Sequence, residues 1–98
     1  MTTTSPSTFR KKPVTIQAIQ WDGTNVEAVQ AFAGAYFNDI DPADRAEDPA
    51  RTAEVYDILH STWVGVYDGQ WIVRGVKGEF YPIAPDVLAE TYDAVSDD

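Results

Sequence analysis

The strand pattern is clearest in one stretch, Trp63-Val-Gly-Val-Tyr-Asp-Gly-Gln-Trp-Ile-Val-Arg74. Two runs of β-branched and aromatic residues flank Asp68-Gly69, a pair that is typical of tight turns between paired strands. This pattern predicts a β-hairpin. The alternating run from Glu54 to His60 predicts a further strand before it. An antiparallel sheet is therefore expected in the second half of the chain.

Upstream of this stretch, the sequence predicts a strand followed by a helix. Apolar and polar residues alternate from Val14 to Trp21, as they do along a half-buried strand. Thr24 and Glu27 have the spacing of a capping box, in which two side chains bond to free amides at a helix start. The helix is predicted over 25–33, because Gly34 stands where a left-handed residue ends a helix.

Downstream, the chain reverses again and ends in a short helix. Gly75 and Gly78 space a second turn before the strand Glu79–Tyr81, and Pro85 opens a helix through about Glu90. Tyr92–Val95 is predicted as a last short strand. The fold class is therefore α+β: a small antiparallel β-meander sheet of four to six strands, one main helix and one short C-terminal helix.

Length and composition predict one domain. The 98 residues leave room for a single core, which we place at 9–95. An acidic loop is expected at 38–52, a disordered Thr/Ser/Pro tail at 1–8 and an acidic tail at 96–98. The chain has no Cys, which excludes a disulfide framework and thiol chemistry.

Charge narrows the classes of partner. The net charge is −9, so general nucleic-acid binding, which needs a basic surface, is not expected. All sixteen acidic residues lie after residue 21, whereas Arg10, Lys11 and Lys12 lie before it. The beginning of the chain has no apolar segment of the kind found in signal peptides, and no apolar run is long enough to span a bilayer. A cytoplasmic protein without membrane contact is expected.

Two segments resemble a family of small proteins of tailed phages and prophages, many from actinobacterial hosts. The resemblance rests on Trp71-Ile-Val-Arg-Gly-Val-Lys-Gly-Glu-Phe-Tyr-Pro82 with the following Pro85-Asp86, and on Phe9-Arg-Lys-Lys-Pro-Val14. This sequence has Ile83-Ala84 where that family has Cys-Lys. The resemblance implies a phage accessory protein in the host bacterial cytoplasm, acting on host physiology or defence.

The predicted turn at 75–78 is a candidate anion site. Arg74 and Lys77 bracket its two glycines, and such a turn could offer amides and cations to a phosphate-bearing ligand. Arg10 and Lys12 would join if the first strand lies alongside. The alternative is that these cations pair with neighbouring acids.

Aromatic residues of the same region are candidate partner contacts. A cluster of aromatic side chains could anchor a macromolecule, because such side chains supply much of the binding energy at interfaces. Its members are Trp63, Trp71, Phe80 and Tyr81. Of the adjacent pair Phe80 and Tyr81, alternation predicts that Tyr81 points outward. The alternative is that these rings belong to the core.

Catalytic, metal and cofactor chemistry is not expected. His60 is the only histidine; Asp57 is predicted on the opposite face of its strand, so it supplies no orienting acid. The leading hypothesis is a non-enzymatic protein that binds a host macromolecule. The alternatives are a binder of a phosphate-bearing small molecule and a minor component of the virion. Pairing of sheet edges into a homodimer is left open.

Overall fold

A computed structural model describes residues 5–95 as two three-stranded antiparallel sheets with two α-helices. The first sheet has the order β1-β5-β6 and the second β2-β3-β4. The strands are β1 Gln17–Gln20, β2 Phe37–Asp39, β3 Arg51–Asp57, β4 Thr62–Tyr67, β5 Trp71–Arg74 and β6 Phe80–Ile83; the helices are α1 Val26–Ala33 and α2 Pro85–Thr91. The α+β class, with one main helix and one short C-terminal helix, is confirmed.

The predicted hairpin around Asp68-Gly69 is wrong, because β4 and β5 belong to different sheets. The tight turn itself is present, with Gly69 at φ +93°. Gly69 N–H donates to the Trp21 carbonyl at 2.7 Å, and Trp21 N–H donates to the Gln70 carbonyl at 2.8 Å. The turn is thus held against the end of β1, and it carries the chain from one sheet to the other.

The core lies between the two sheets and α1. Trp21 is its largest side chain and is only 1% exposed. The indole Nε1–H donates to Thr52 Oγ1 at 2.8 Å, and the Thr52 hydroxyl donates to Asp68 Oδ1 at 2.6 Å. This chain of hydrogen bonds joins β3 to the crossing turn. The other buried members are Val29, Ala33, Phe37, Ala53, Val55, Val66, Ile72 and Phe80.

The predicted capping box at the start of α1 is wrong. Asn25 occupies the N-cap position, and the Thr24 hydroxyl donates to Asp22 Oδ1 at 2.7 Å. The same carboxylate oxygen accepts the N–H groups of Thr24 and Asn25. Asp22 thus accepts the Thr24 N–H that the Glu27 carboxylate would accept in a capping box, because an aspartate readily bonds the main chain two residues further on. Gly34, at φ +62°, ends the helix as predicted.

Some boundaries differ from expectation. The first strand is limited to β1. The loop predicted at 38–52 is shorter, because β2 extends to Asp39 and β3 already begins at Arg51. Tyr92–Val95 forms no strand. The predicted tail at 96–98 and the first four residues of the tail at 1–8 lie outside the described residues. Within residues 5–95, no helix has the length and apolarity to cross a membrane.

Candidate functional site

The predicted anion turn is occupied by a carboxylate of the chain itself. Lys77 N–H donates to Glu79 Oε2 at 2.9 Å, and Gly75 N–H donates to the Glu79 carbonyl at 2.7 Å. A Cβ at Gly75 would clash with the Glu79 carboxylate, so the glycine leaves room for it. Arg74 and Lys77 are exposed, and neither forms an ion pair with any residue in the described part of the chain. An incoming anion would have to displace Glu79.

The N-terminal cations lie elsewhere. Lys11 Nζ donates to the Tyr92 hydroxyl at 2.7 Å and lies 4.2 Å from the centre of that ring. Lys11, Lys12 and the residues after α2 line a small open cleft of about 310 Å³. Arg10 and Lys12 themselves are exposed. The basic segment, residues 10–12, therefore lies beside the end of α2.

Trp71 and Tyr81 lie on the face of the first sheet opposite to the core. Their cross-strand neighbours fix this placement, because Ile72 is fully buried in the core and pairs with Pro82. Tyr81 is half-buried beside Tyr92, and burial together with the Tyr92 hydroxyl raises the pKa of Tyr81. Arg74 pairs with Phe80 on the other face. The predicted site residues are thus divided between the two faces of this sheet.

A second set of rings lies at the surface, and two of its three members, Tyr36 and Tyr56, were missed from the sequence. We call Tyr36, Tyr56 and Trp63 the aromatic surface. Tyr36 and Tyr56 are stacked with centroids 6.3 Å apart, and Tyr56 meets Trp63 edge to face at 5.2 Å. Tyr36 is 42% exposed and Trp63 40%. The ring centre of Tyr36 also lies 5.9 Å from that of the core residue Phe80, so the aromatic surface packs against the core.

Strand alternation explains how these rings reach the surface. Tyr56 and Trp63 are cross-strand neighbours on β3 and β4. Val55 and Val64, the residues beside them, point into the core. Successive side chains alternate between faces, so both aromatic rings point outward. The run Trp63-Val64-Gly65-Val66 carries this alternation in the sequence, which predicted Trp63 as a partner contact but did not single out Tyr36 or Tyr56.

The turn between β3 and β4 adds apolar area near the aromatic surface. Ile58 is 41% exposed and Leu59 55%. Asp57 Oδ1 accepts the N–H groups of Leu59 and His60, and its Oδ2 lies 2.6 Å from His60 Nδ1. These contacts lower the pKa of Asp57, the His60 ring being the main cause. Placing Asp57 on the face opposite to His60 was wrong, because the strand ends at Asp57 and the turn brings the ring back.

The acidic loop walls an open cleft of about 850 Å³. Arg51 lies across Gly65 on its floor; a Cβ at Gly65 would be 2.8 Å from Arg51 Nε. The guanidinium pairs with Glu54 at 3.3 Å. The Tyr67 hydroxyl donates to Asp48, which raises the pKa of Tyr67. Across residues 5–95, no group of three or more His, Cys, Asp or Glu side chains is arranged to hold a metal ion.

The pair Asp57 and His60 is open to water. The exposed features include rings, aliphatic side chains, carboxylates and the cations Arg74 and Lys77. In the Asp57–His60 pair, the histidine side chain is 75% exposed. A water-accessible pair of this kind lacks the enclosure that strengthens electrostatic catalysis. Comparison with protein-family models, curated proteins and solved structures finds no match to this chain.

Proposed function

We propose that this chain is a non-enzymatic binding protein that contacts a protein partner through the aromatic surface. The observation that carries the proposal is the packed set Tyr36, Tyr56 and Trp63, in which Tyr36 and Trp63 are exposed and Tyr56 lies half-buried between them. Tyrosine and tryptophan are enriched among the residues that supply most of the binding energy at protein interfaces. Their mutual packing holds the rings in place before binding, which reduces the entropy lost on association.

Charge indicates the chemistry of the partner. Glu54 lies on the same strand face as Tyr56, two residues away along β3. With a net charge of −9, the chain repels nucleic-acid phosphates and attracts basic protein surfaces. A partner patch with apolar residues inside an Arg or Lys rim fits both features, since a guanidinium also stacks on a tryptophan face.

The family resemblance supports a setting for this binding. Small phage proteins of the kind described above act in the bacterial host, and the partner is accordingly proposed to be a host protein. The alternative, a phosphate-bearing small molecule at Arg74 and Lys77, is less favoured because Glu79 already fills that turn. Both partners can be sought in one experiment.

The test is gentle capture of the tagged protein from host lysate, followed by native mass spectrometry. Wild type is compared with Trp63→Ser, with Tyr36→Ser and with the control Val76→Ser, which removes a 70% exposed apolar side chain in the β5–β6 turn. We expect a copurifying polypeptide with wild type and Val76→Ser. Loss of an anchoring ring should weaken its binding roughly thirtyfold, from about 2 kcal/mol.

Two results would contradict the proposal. One is a partner retained equally by all three variants. The other is a small added mass that disappears in Arg74→Ala and Lys77→Ala, which would identify the turn at 75–78 as the binding site.

A further inference from the structure

The free edge of β4 lacks the features that keep strand edges from pairing. Natural edge strands are short, or carry charged residues or proline. Among the other outer strands, β6 contains Pro82, β2 has only three residues including Asp39, and β1 has four. β4 has six residues, Thr-Trp-Val-Gly-Val-Tyr, without charge or proline. It is the edge most open to another strand.

The hydrogen bonds of the second sheet show which main-chain groups face this edge. Ile40 N–H donates to the Thr52 carbonyl at 2.9 Å, so the main-chain groups of Thr52 point towards β2. Those of the next residue, Ala53, point towards β4. Since Ala53 pairs with Val66 and Val55 with Val64, the main-chain groups of Val64 and Val66 point towards β3. The main-chain groups of Trp63, Gly65 and Tyr67 point to the free edge.

Tyr67 supports this assignment independently. Its N–H donates to Gln70 Oε1 at 2.9 Å and its carbonyl accepts Gln70 N–H at 3.1 Å, so neither group serves β3. Among the described residues, no turn or loop bonds the main chain of Trp63 or Gly65. These two residues offer two donors and two acceptors to an added strand.

The sequence of β4 is complementary to itself. Trp63-Val64-Gly65-Val66-Tyr67 reads aromatic, valine, glycine, valine, aromatic in both directions. In an antiparallel pair with its two-fold axis at Gly65, the two Gly65 residues exchange two hydrogen bonds and Val64 meets Val66 of the second copy. Trp63 meets Tyr67 of the second copy, whose carbonyl has a second lone pair for the Trp63 N–H, whereas the Tyr67 N–H reaches the Trp63 carbonyl only by leaving Gln70 Oε1. Paired residues point to the same face, so the rings meet at the surface and the valines beside the core.

We propose that two copies of this chain pair through β4, joining their second sheets into one continuous six-stranded antiparallel sheet. The occupant is a second copy because a two-fold interface needs a patch that is complementary to itself, as this strand is. Because β4 contains no charged residue, no like charges of the two strands face each other across the pair. Arg51, which crosses Gly65, is paired with Glu54 of its own chain.

The dimer is expected to be weak and dependent on salt. Two strand edges bury less area than a standard interface, so we expect a dissociation constant on the order of 10–100 µM. Each copy carries a charge of −9, and added salt screens the repulsion between them. Raising the salt concentration should therefore strengthen this association.

The test combines sedimentation velocity with amide hydrogen exchange over a concentration series of the wild-type chain. We expect the mass to rise from 10.8 kDa towards twice that value, with protection appearing at the Trp63 and Gly65 amides. Gly65→Pro removes the edge N–H without touching the ladder to β3, and it should be monomeric. Gly65→Ala adds a similar clash with Arg51 but keeps the N–H, and it should still dimerise.

Circular dichroism checks that both variants fold. If Gly65→Pro does not fold, the concentration series of the wild-type chain still tests the proposal. A chain that stays monomeric up to about 1 mM overturns the proposal, whether or not its edge accepts a strand from another protein. So does a dimer whose edge amides gain no protection. Tyr36→Ser lies outside β4, so loss of partner binding in that variant is separable from loss of the dimer.

Discussion

At the scale of single residues, the chain Trp21–Thr52–Asp68 explains how a core tryptophan is accommodated. A buried indole N–H needs an acceptor, because an unsatisfied donor costs free energy. Thr52 Oγ1 accepts this N–H at 2.8 Å, and the Thr52 hydroxyl in turn donates a hydrogen bond to Asp68 Oδ1 at 2.6 Å. The donor is satisfied, and β3 is fixed to the turn between the sheets.

Thr52→Val tests this role. Valine keeps the shape of threonine but leaves the indole N–H of Trp21 without an acceptor, and we expect the free energy of unfolding to fall by about 1–3 kcal/mol. Urea unfolding followed by tryptophan fluorescence measures the change. Thr15→Val, at an exposed threonine, is the matched control and should shift stability by less than about 0.5 kcal/mol. Equal stability of the two variants would refute the role of the bond.

At the scale of elements, the beginning of α1 depends on the carboxylate of Asp22, four residues before the first helical residue, Val26. Asp22 Oδ1 accepts three hydrogen bonds, which lower the pKa of Asp22, the Thr24 hydroxyl being the main cause. Asn25 Oδ1 in turn accepts Asp22 N–H at 3.0 Å. The turn and the helix therefore form one unit whose stability depends on the charge of Asp22.

The pH dependence follows from the direction of this shift. Because the pKa of Asp22 is lower in the folded state, its contribution is fully present above the unfolded pKa of about 3.9 and is lost as pH falls through the folded pKa. Asp22→Asn should be less stable than wild type at pH 7, and the two should converge as pH falls below about 4. Melting temperatures across this range give the difference, and Glu90→Gln is the exposed control. A gap between wild type and Asp22→Asn that is constant with pH would contradict the assignment.

Local patterns predicted the elements better than their pairing. Alternation and turn residues located every strand except β2, which overlaps the predicted loop, and Gly34 located the end of α1. The partner of β5 could not be read from Asp68-Gly69, because the contacts that place this turn come from Trp21, far away in the chain. The same limit applies to the site. Tyr36 reaches Tyr56 only once β2 pairs with β3, so the aromatic surface exists only in the folded sheet.

At the scale of the whole molecule, the negative charge lowers the stability of the fold but helps to keep the protein from associating nonspecifically. The acids that surround the large cleft repel one another in the folded state, and the basic segment 10–12 lies at the end of α2 rather than among them. Self-repulsion of this kind destabilises a compact state. An acidic surface also keeps the exposed rings from nonspecific association, since copies of the chain repel one another. The aromatic surface can thus remain exposed at a cost in stability.

This balance predicts that salt stabilises the fold. Raising NaCl from low ionic strength to about 0.5 M shortens the screening length to a few ångströms, so repulsion among the loop acids falls and the melting temperature should rise. The double variant Asp44→Asn, Glu47→Gln removes two exposed acids of the cleft, and it should start at a higher melting temperature and gain less from salt. Differential scanning calorimetry at low protein concentration separates this effect from dimerisation. A melting temperature that falls with salt would contradict this prediction. It would mean that attraction between the basic segment 10–12 and the acids outweighs the repulsion among the acids. The double variant would then be less stable than wild type at low salt.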